Sequence, residues 1–202
     1  WGIVEVAMKF TDRLKKEMES GHCMVIPDIK CFSPKEGDLL QGRNPVDVAL
    51  SLAEAGAPVL SVVTEPEKFN GSMELLKRIV SVTKVPILRK DFIHTREDLI
   101  ETKEMGASAI LLMCSCLEKE EMIYLYHEAI EIGLDPFVET HTVEELKFAE
   151  ELGAQLVGIN NRNILELECD DGTVLTTCQM AEYAPKDAIL ISESSIRNPE
   201  EV

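Results

Sequence analysis

A set of polar residues recurs at one kind of position in this sequence, the C-terminal end of a short apolar run. Asp28 and Lys30 end residues 24–30 (MVIPDIK), and Lys90 follows Ile87-Leu88-Arg89. Glu139 ends residues 136–139 (PFVE), Asn160 ends 155–160 (QLVGIN) with Arg162 just beyond, and Glu193 and Ser194 follow 188–192 (AILIS). Carboxylates and ammonium groups gathered at one place are the means of acid–base chemistry. A single Lys or Glu at a strand end is ordinarily a solvated loop charge. Lys30, flanked by Ile29 and Cys31, is harder to read that way. A lone ammonium in an apolar run is costly unless paired, and Asp28 or Glu139 could pair with it. Glu139, after Phe137-Val138, is either ion-paired or raised in pKa towards a value useful for proton transfer. Phe69, Phe92, Leu111, Ile164 and Leu167 stand near the same ends. Singly such residues are core or rim packing; jointly they could wall an aromatic ring.

The six cysteines (Cys23, Cys31, Cys114, Cys116, Cys169, Cys178) include no C-x-x-C pair, and the four histidines show no H-x-H or H-x-x-x-H spacing. Buried reduced thiols and no protein-bound metal are the expectation.

The elements that must present these groups alternate regularly. Strand-like runs at 24–30, 58–63, 85–88, 108–113, 136–139, 155–160 and 188–192 are separated by amphipathic stretches at 44–56, 72–82, 95–105, 117–132, 142–152 and near 174–183, with a turn-rich segment at 33–43. Helix signals fall where they should. Asn44 suits an N-cap with Pro45 behind it, Ser72 opens the next helix, and Thr142 with Glu145 reads as a capping box. Gly56, Gly106, Gly133 and Gly153 stop helices. Residues 1–20 read as an extra helix. Apolar strands that want burial on both faces, separated by helices, mean a parallel sheet, either open and doubly wound or closed as a (βα)8 barrel. Cys31-Phe32-Ser33-Pro34 stands where a dinucleotide fold would carry its glycine-rich turn, which weakens the open alternative. In either fold, ligands bind at the edge where these polar residues gather.

The 202 residues suit a single domain, expected over 1–202, and 45% hydrophobic content is ample for a core. Strand starts average about 27 residues apart, so a closed barrel needs about 30 more residues than are present. With Trp1 in place of Met, this leads to the expectation of a chain truncated or incompletely ordered after the seventh strand. Twenty basic against 37 acidic residues give a net charge of −17. That balance argues against nucleic-acid or anionic-membrane partners. No apolar run approaches a membrane span and no signal-peptide layout is present, so a cytoplasmic location is expected.

At these residues the chain resembles the indole-3-glycerol-phosphate synthase family of (βα)8 barrels. The matching segments are Asp28-Ile29-Lys30 with Ser33-Pro34, residues 60–66 (LSVVTEP) leading to Phe69-Asn70-Gly71-Ser72, and residues 85–92 (VPILRKDF). They continue with 106–112 (GASAILL), Val138-Glu139-Thr140-His141, Gly158-Ile159-Asn160-Asn161-Arg162 and 191–196 (ISESSI), so that the likeness covers residues 24 to 196.

The resemblance implies a carbon–carbon lyase of tryptophan biosynthesis. Its substrate is 1-(2-carboxyphenylamino)-1-deoxyribulose 5-phosphate, and its products are indole-3-glycerol phosphate, carbon dioxide and water. It implies Lys90 as general acid, Glu139 in the complementary proton transfer with Asp28 assisting, and Lys30 on the substrate carboxylate. Asn160 would hold the sugar hydroxyls and Arg162 would organise the network. Ser194 belongs to the phosphate site, and Ser33 and Glu193 count among the substrate-binding positions. Phe69, Phe92, Leu111, Ile164 and Leu167 fall where the family packs the anthranilate ring.

Neither cofactor nor metal is implied. The partner is a phosphorylated small molecule, and the resemblance admits association with other tryptophan-pathway enzymes. Four positions depart from the family pattern: Asp28 for Glu, Phe32 for Lys, Asn163 for Asp and Ser195 for Gly. Asp28, Phe32 and Ser195 together keep open a divergent paralogue acting on a related phosphorylated aromatic amine, and a non-catalytic ligand-binding barrel is a third reading.

Overall fold

The computed structural model describes residues 8–21, 24–167 and 172–202. Seven parallel strands follow one another in chain order around one sheet: β1 (Asp28–Ile29), β2 (Leu60–Val63), β3 (Ile87–Lys90), β4 (Ala109–Met113), β5 (Asp135–Thr140), β6 (Leu156–Asn160) and β7 (Ile189–Glu193). The helices are α1 (Phe10–Glu19), before the sheet, then α2 (Pro45–Glu54), α3 (Met73–Val82), α4 (Arg96–Glu104), α5 (Lys119–Ile132), α6 (Val143–Leu152) and α7 (Leu175–Met180). Sequential pairing of parallel strands with a helix between each and the next is the (βα)8-barrel architecture, here carried through seven strands. Among the described residues β1 pairs only with β2 and β7 only with β6.

Alternation along each strand divides the apolar residues between two cores. Leu88, Ala109, Leu111, Met113, Phe137, Leu156 and Ile189 meet inside the curved sheet, together with Val63 and Phe69. Their neighbours of opposite parity, including Ile110, Leu112, Val138, Val157 and Ile159, pack outward against α4, α5 and α6. Leu60, Val62 and Ile87 do the same against α2 and α3. Phe10 and Leu14 of α1 belong to the inner core, and the Thr11 amide donates to Asp135 at the start of β5 (2.8 Å). The helix thereby lies against the N-terminal end of the sheet.

Capping follows the sequence closely. Asn44 accepts from the Val46 amide (2.9 Å) ahead of Pro45, and Ser72 accepts from the Leu75 amide (3.1 Å). The expected box at Thr142 and Glu145 is only half formed. Thr142 accepts from the Glu145 amide, but the Glu145 carboxylate accepts from His141 N–H (2.5 Å), one residue earlier. Two further expectations change. The run 24–30 contributes only Asp28 and Ile29 to the sheet, opposite Ser61 and Val62. Within 33–43 the chain makes a small antiparallel hairpin, Phe32–Ser33 against Gly37–Asp38. Of the helix read over 1–20, residues 1–7 lie outside those described.

Candidate active site

The inner parity that builds the core also builds the site. Lys90 is two residues beyond Leu88, Glu139 two beyond Phe137, Asn160 four beyond Leu156 and Glu193 four beyond Ile189, so each continues an inward-facing row at its strand's C-terminal end. Register aligns them: Glu139 is opposite Gly158, and Asn160 opposite Glu193. Lys90, Glu139 and Asn160 open on a cleft of about 410 Å³, lined also by Asp28, Lys30, Val63, Glu65, Phe69, Asp91, Phe92, Leu111, Met113 and Ile164. Its mix of apolar walls with a few convergent polar groups is characteristic of small-molecule sites.

Lys90 pairs with Glu193, Nζ to Oε2 at 3.0 Å. Burial works against its charge, but Glu193, Asp28 and Glu139 outweigh it and hold Lys90 protonated to higher pH than an ordinary lysine. Glu139 is only 1% exposed. Its Oε1 accepts from Asn160 Nδ2 (3.2 Å) and lies 3.3 Å from His141 Nε2. Burial alone would raise this carboxyl; His141, Lys90 and Asn160 reverse the direction and lower it. Glu193 goes the other way. Burial, aided by Glu139 and Asp28 against the pull of Lys90, pushes it up to about 8. It fits beside Gly158 because that residue has no side chain, and a Cβ there would lie 2.0 Å from Glu193 Oε1.

Buried scaffolding positions this row. Arg89, of outward parity and 5% exposed, donates from Nε to Thr64 Oγ1 (3.0 Å), from Nη1 to Thr102 Oγ1 (2.9 Å) and from Nη2 to Asp91 Oδ2 (3.0 Å). It therefore ties the end of Lys90's strand to the chain just after β2 and to α4. Glu65 accepts the amides of Glu67, Lys68 and Phe69 (3.0, 2.7 and 3.0 Å), a turn that presents the Phe69 ring to the cleft. The Lys30 ammonium lies 4.4 Å from the centre of that ring, a cation–π contact. Asp28 accepts a short hydrogen bond from the Ser61 hydroxyl.

Most of the residues marked in the sequence come together, with exceptions. Leu167 packs at the edge of the inner core, in a left-handed conformation (φ 52°), and does not line the cleft. Ser33 is buried and accepts the Glu36 amide (3.3 Å), also away from the cleft. Arg162, Glu193 and Ser194 line a second, larger cavity of about 2620 Å³ beside β7, which Asp28, Lys30 and Lys90 also border. There Arg162 Nε donates to Ser195 Oγ (3.2 Å), with Glu36 at 3.5 Å from Nη2. Ser194 and Ser195 are both left-handed (φ 65° and 59°), so Ser195 adopts a backbone suited to the family's glycine. Glu139, offered as a partner for Lys30, is held instead by Asn160 and His141.

Glu65, Asp91, Met113 and His141 were not marked in the sequence. For His141 a signal existed: it stands two residues past Glu139 at the end of β5, and so on the same face. Among the described residues no group of three or more His, Cys, Asp or Glu could hold a metal ion.

Fold and rim together define a parallel βα-barrel protein whose strand ends carry an ammonium–carboxylate pair beside an aromatic-walled cleft. The chain belongs to the indole-3-glycerol phosphate synthase family, whose model matches residues 2–202. It is 44% identical to the indole-3-glycerol phosphate synthase of Thermococcus kodakarensis over 178 residues, 88% of this chain and 78% of that protein. Identity is 42% with the Pyrococcus abyssi protein of the same name (88% and 77% covered) and 37% with that of Clostridium acetobutylicum (93% and 70%). Among solved structures, an N-acetylmannosamine-6-phosphate 2-epimerase from Clostridium perfringens superposes with a TM-score of 0.63 at 16% identity, covering 100% of this chain and 86% of that one. That likeness bears on the fold alone.

Proposed function

We propose that the chain is an indole-3-glycerol-phosphate synthase-type carboxy-lyase, closing the indole ring of 1-(2-carboxyphenylamino)-1-deoxyribulose 5-phosphate with loss of carbon dioxide and water. The observation that carries this reading is the shared cleft: Lys90 and Glu139 line one opening together with Phe69, Phe92, Leu111 and Ile164.

Ring closure joins the aromatic carbon bearing the carboxylate to the ketone carbon, and the ketone oxygen takes a proton from Lys90. Carbon dioxide then leaves, its electron pair returning to the ring system. Expulsion of the new hydroxyl as water needs a proton on that oxygen, given by Lys90 once solvent has recharged it. It also needs loss of the C–H proton from the ring carbon next to nitrogen, which Glu139 accepts with Asp28 assisting, so that the carbon–carbon double bond forms. Lys90 suits the acid role because three surrounding carboxylates keep it charged, and Glu139 suits the acceptor role because it is held ionised. Lys30 is assigned to the substrate carboxylate, Asn160 to the sugar hydroxyls, and Ser194 with Arg162 to the phosphate end. The apolar walls pack the anthranilate ring. Residues 1–202 act in this reading as one barrel domain. A cytoplasmic setting accords with the chemistry, and among the described residues no helix is long and apolar enough to cross a membrane.

The test is Lys90→Ala. With the standard substrate, kcat is expected to fall by ~10³-fold or more while a substrate analogue still binds, since removing a positioned proton donor costs about 10²–10⁴ in rate. Indole fluorescence measures turnover, and wild-type activity in that variant would refute the assignment. Absence of turnover in the unaltered protein, with tight analogue binding, would favour the paralogue reading.

A further inference from the structure

Two buried carboxylates, Glu139 and Glu193, lie near a single ammonium, Lys90, with Asp28 also close enough to act on it. Like charges in a water-poor site resist joint ionisation, so one of the buried pair tends to keep a proton. We propose that His141 is a positioning residue that decides which one: clamped between Glu139 and Glu145, it holds Glu139 as the ionised partner and leaves the proton to Glu193. The inference rests on Glu139 being the proton acceptor of the reaction proposed above.

The geometry is asymmetric in the required sense. Glu139 Oε1 has two nitrogen neighbours, the Asn160 amide Nδ2, which donates to it at 3.2 Å, and His141 Nε2 at 3.3 Å. Glu193 has Lys90 on Oε2, but its Oε1 is buried without a hydrogen-bond partner, against the bare Cα side of Gly158. An unpartnered buried carboxylate oxygen is costly when charged and much less so when the group is neutral.

His141 is itself fixed as a cation. Its Nδ1 lies 3.6 Å from Glu145 Oε2, and its own backbone N–H donates to the same carboxylate at 2.5 Å. Glu145 sits in the first turn of α6, where the helix dipole favours an anion. Neither ring nitrogen makes a hydrogen bond of good angle, so the clamp is an electrostatic one. The other titratable groups near this face are Cys114 and Cys116, on the turn after β4. Burial raises both thiols, Cys114 to about 12, and leaves them neutral. The imidazole therefore meets anions on two sides. Burial would lower its pKa, but the two carboxylates outweigh that and push it up to about 9. A charged His141 adds to the pull of Lys90 and Asn160 on Glu139.

The deciding experiment is an NMR titration of the intact chain without substrate, using carboxyl-labelled Glu and ring-labelled His. Signals are assigned with Glu139→Gln, Glu193→Gln and His141→Gln. In the unaltered protein the His141 ring is expected to titrate above pH 8 and Glu193 far above Glu139. In His141→Gln the Glu139 midpoint should rise by at least about one unit and that of Glu193 should fall, while His141→Lys keeps the original order. Unchanged carboxyl midpoints in His141→Gln, or a His141 ring titrating near the ordinary 6.5, would overturn the proposal; if His141→Gln fails to fold, the ring titration of the unaltered protein decides. With turnover as a second readout, the acidic limb of kcat/KM should move up in His141→Gln by the same amount as the Glu139 midpoint, with the plateau at pH 8 and the substrate KM held, and return in His141→Lys. Should the chain not turn over the standard substrate at all, the proposed function fails, yet the titrations still judge His141.

Discussion

The wall formed by β3 to β6 and the side formed by β7 and β1 contain residues of the same types in different surroundings. On the wall every strand is paired along both edges, and Glu139 and Asn160 are 1% and 3% exposed. On the other side β1 is two residues long, Asp28 is exposed, and Ile191 and Ser192 are only half-buried beside the larger cavity. Water exclusion is what gives fixed charges leverage over one another. The wall is therefore where an ammonium and a carboxylate can set each other's protonation, while the β7–β1 side offers room and hydrogen-bonding groups. Glu193 is the hinge between the two: it belongs to β7 but reaches Lys90 on the wall.

The contrast can be broken most directly in the packing. Leu112 is fully buried between the sheet and its outer helices, and Leu112→Ala is expected to cost about 2–5 kcal/mol of unfolding free energy. Ile191→Ala, on the half-buried side, should cost about 1 kcal/mol. Equal losses in denaturant titrations would mean the two sides are equally well packed.

A smaller effect is expected at Asp28. Its carboxylate is one methylene shorter than the family's usual Glu, and a displacement of about 1 Å can be worth up to ~10²-fold in rate. Asp28→Glu should therefore raise kcat with the standard substrate by up to that factor. A fall instead would mark the shorter side chain as an adaptation to another substrate.

Glu193 provides the mildest and most diagnostic change. Its folded carboxyl titrates at about 8, above the 4.5 of a free one. Between those values the folded chain holds a proton that the unfolded chain releases, so this group makes stability fall as pH rises through that window. Glu193→Gln removes the loss. Its Tm should exceed that of the unaltered protein at pH 9 by at least about 3 °C, and the two should converge near pH 4. An unchanged difference across that range would mean Glu193 is not proton-coupled to folding.

Much of this was legible beforehand because it follows local rules. Short, continuously apolar runs marked the strands, Asn44 and Ser72 marked helix starts, and strand-end positions of Lys90, Glu139 and Asn160 marked the rim. The family likeness rested on segments such as 85–92 and 158–162, which are specific in content and order. What failed to show in one dimension was pairing at a distance. Nothing in residues 85–92 says that Lys90 will meet Glu193, 103 positions later. Nor does Thr142-x-x-Glu145 say that the Glu145 carboxylate will turn back to His141 and not to its own cap. Leu167 was counted with the ring-packing residues from its place near a strand end and from the likeness, and a left-handed backbone at that position directs the chain elsewhere.

The sequence by itself determined the order of elements, the two faces of every strand and the short list of groups that reach the rim, because each of these depends on neighbours within a few residues. Only the tertiary structure decided which carboxylate stands beside which cation and how little water reaches them. Protonation depends on charges and solvent within a few ångströms, and it is folding, not adjacency along the chain, that brings those together.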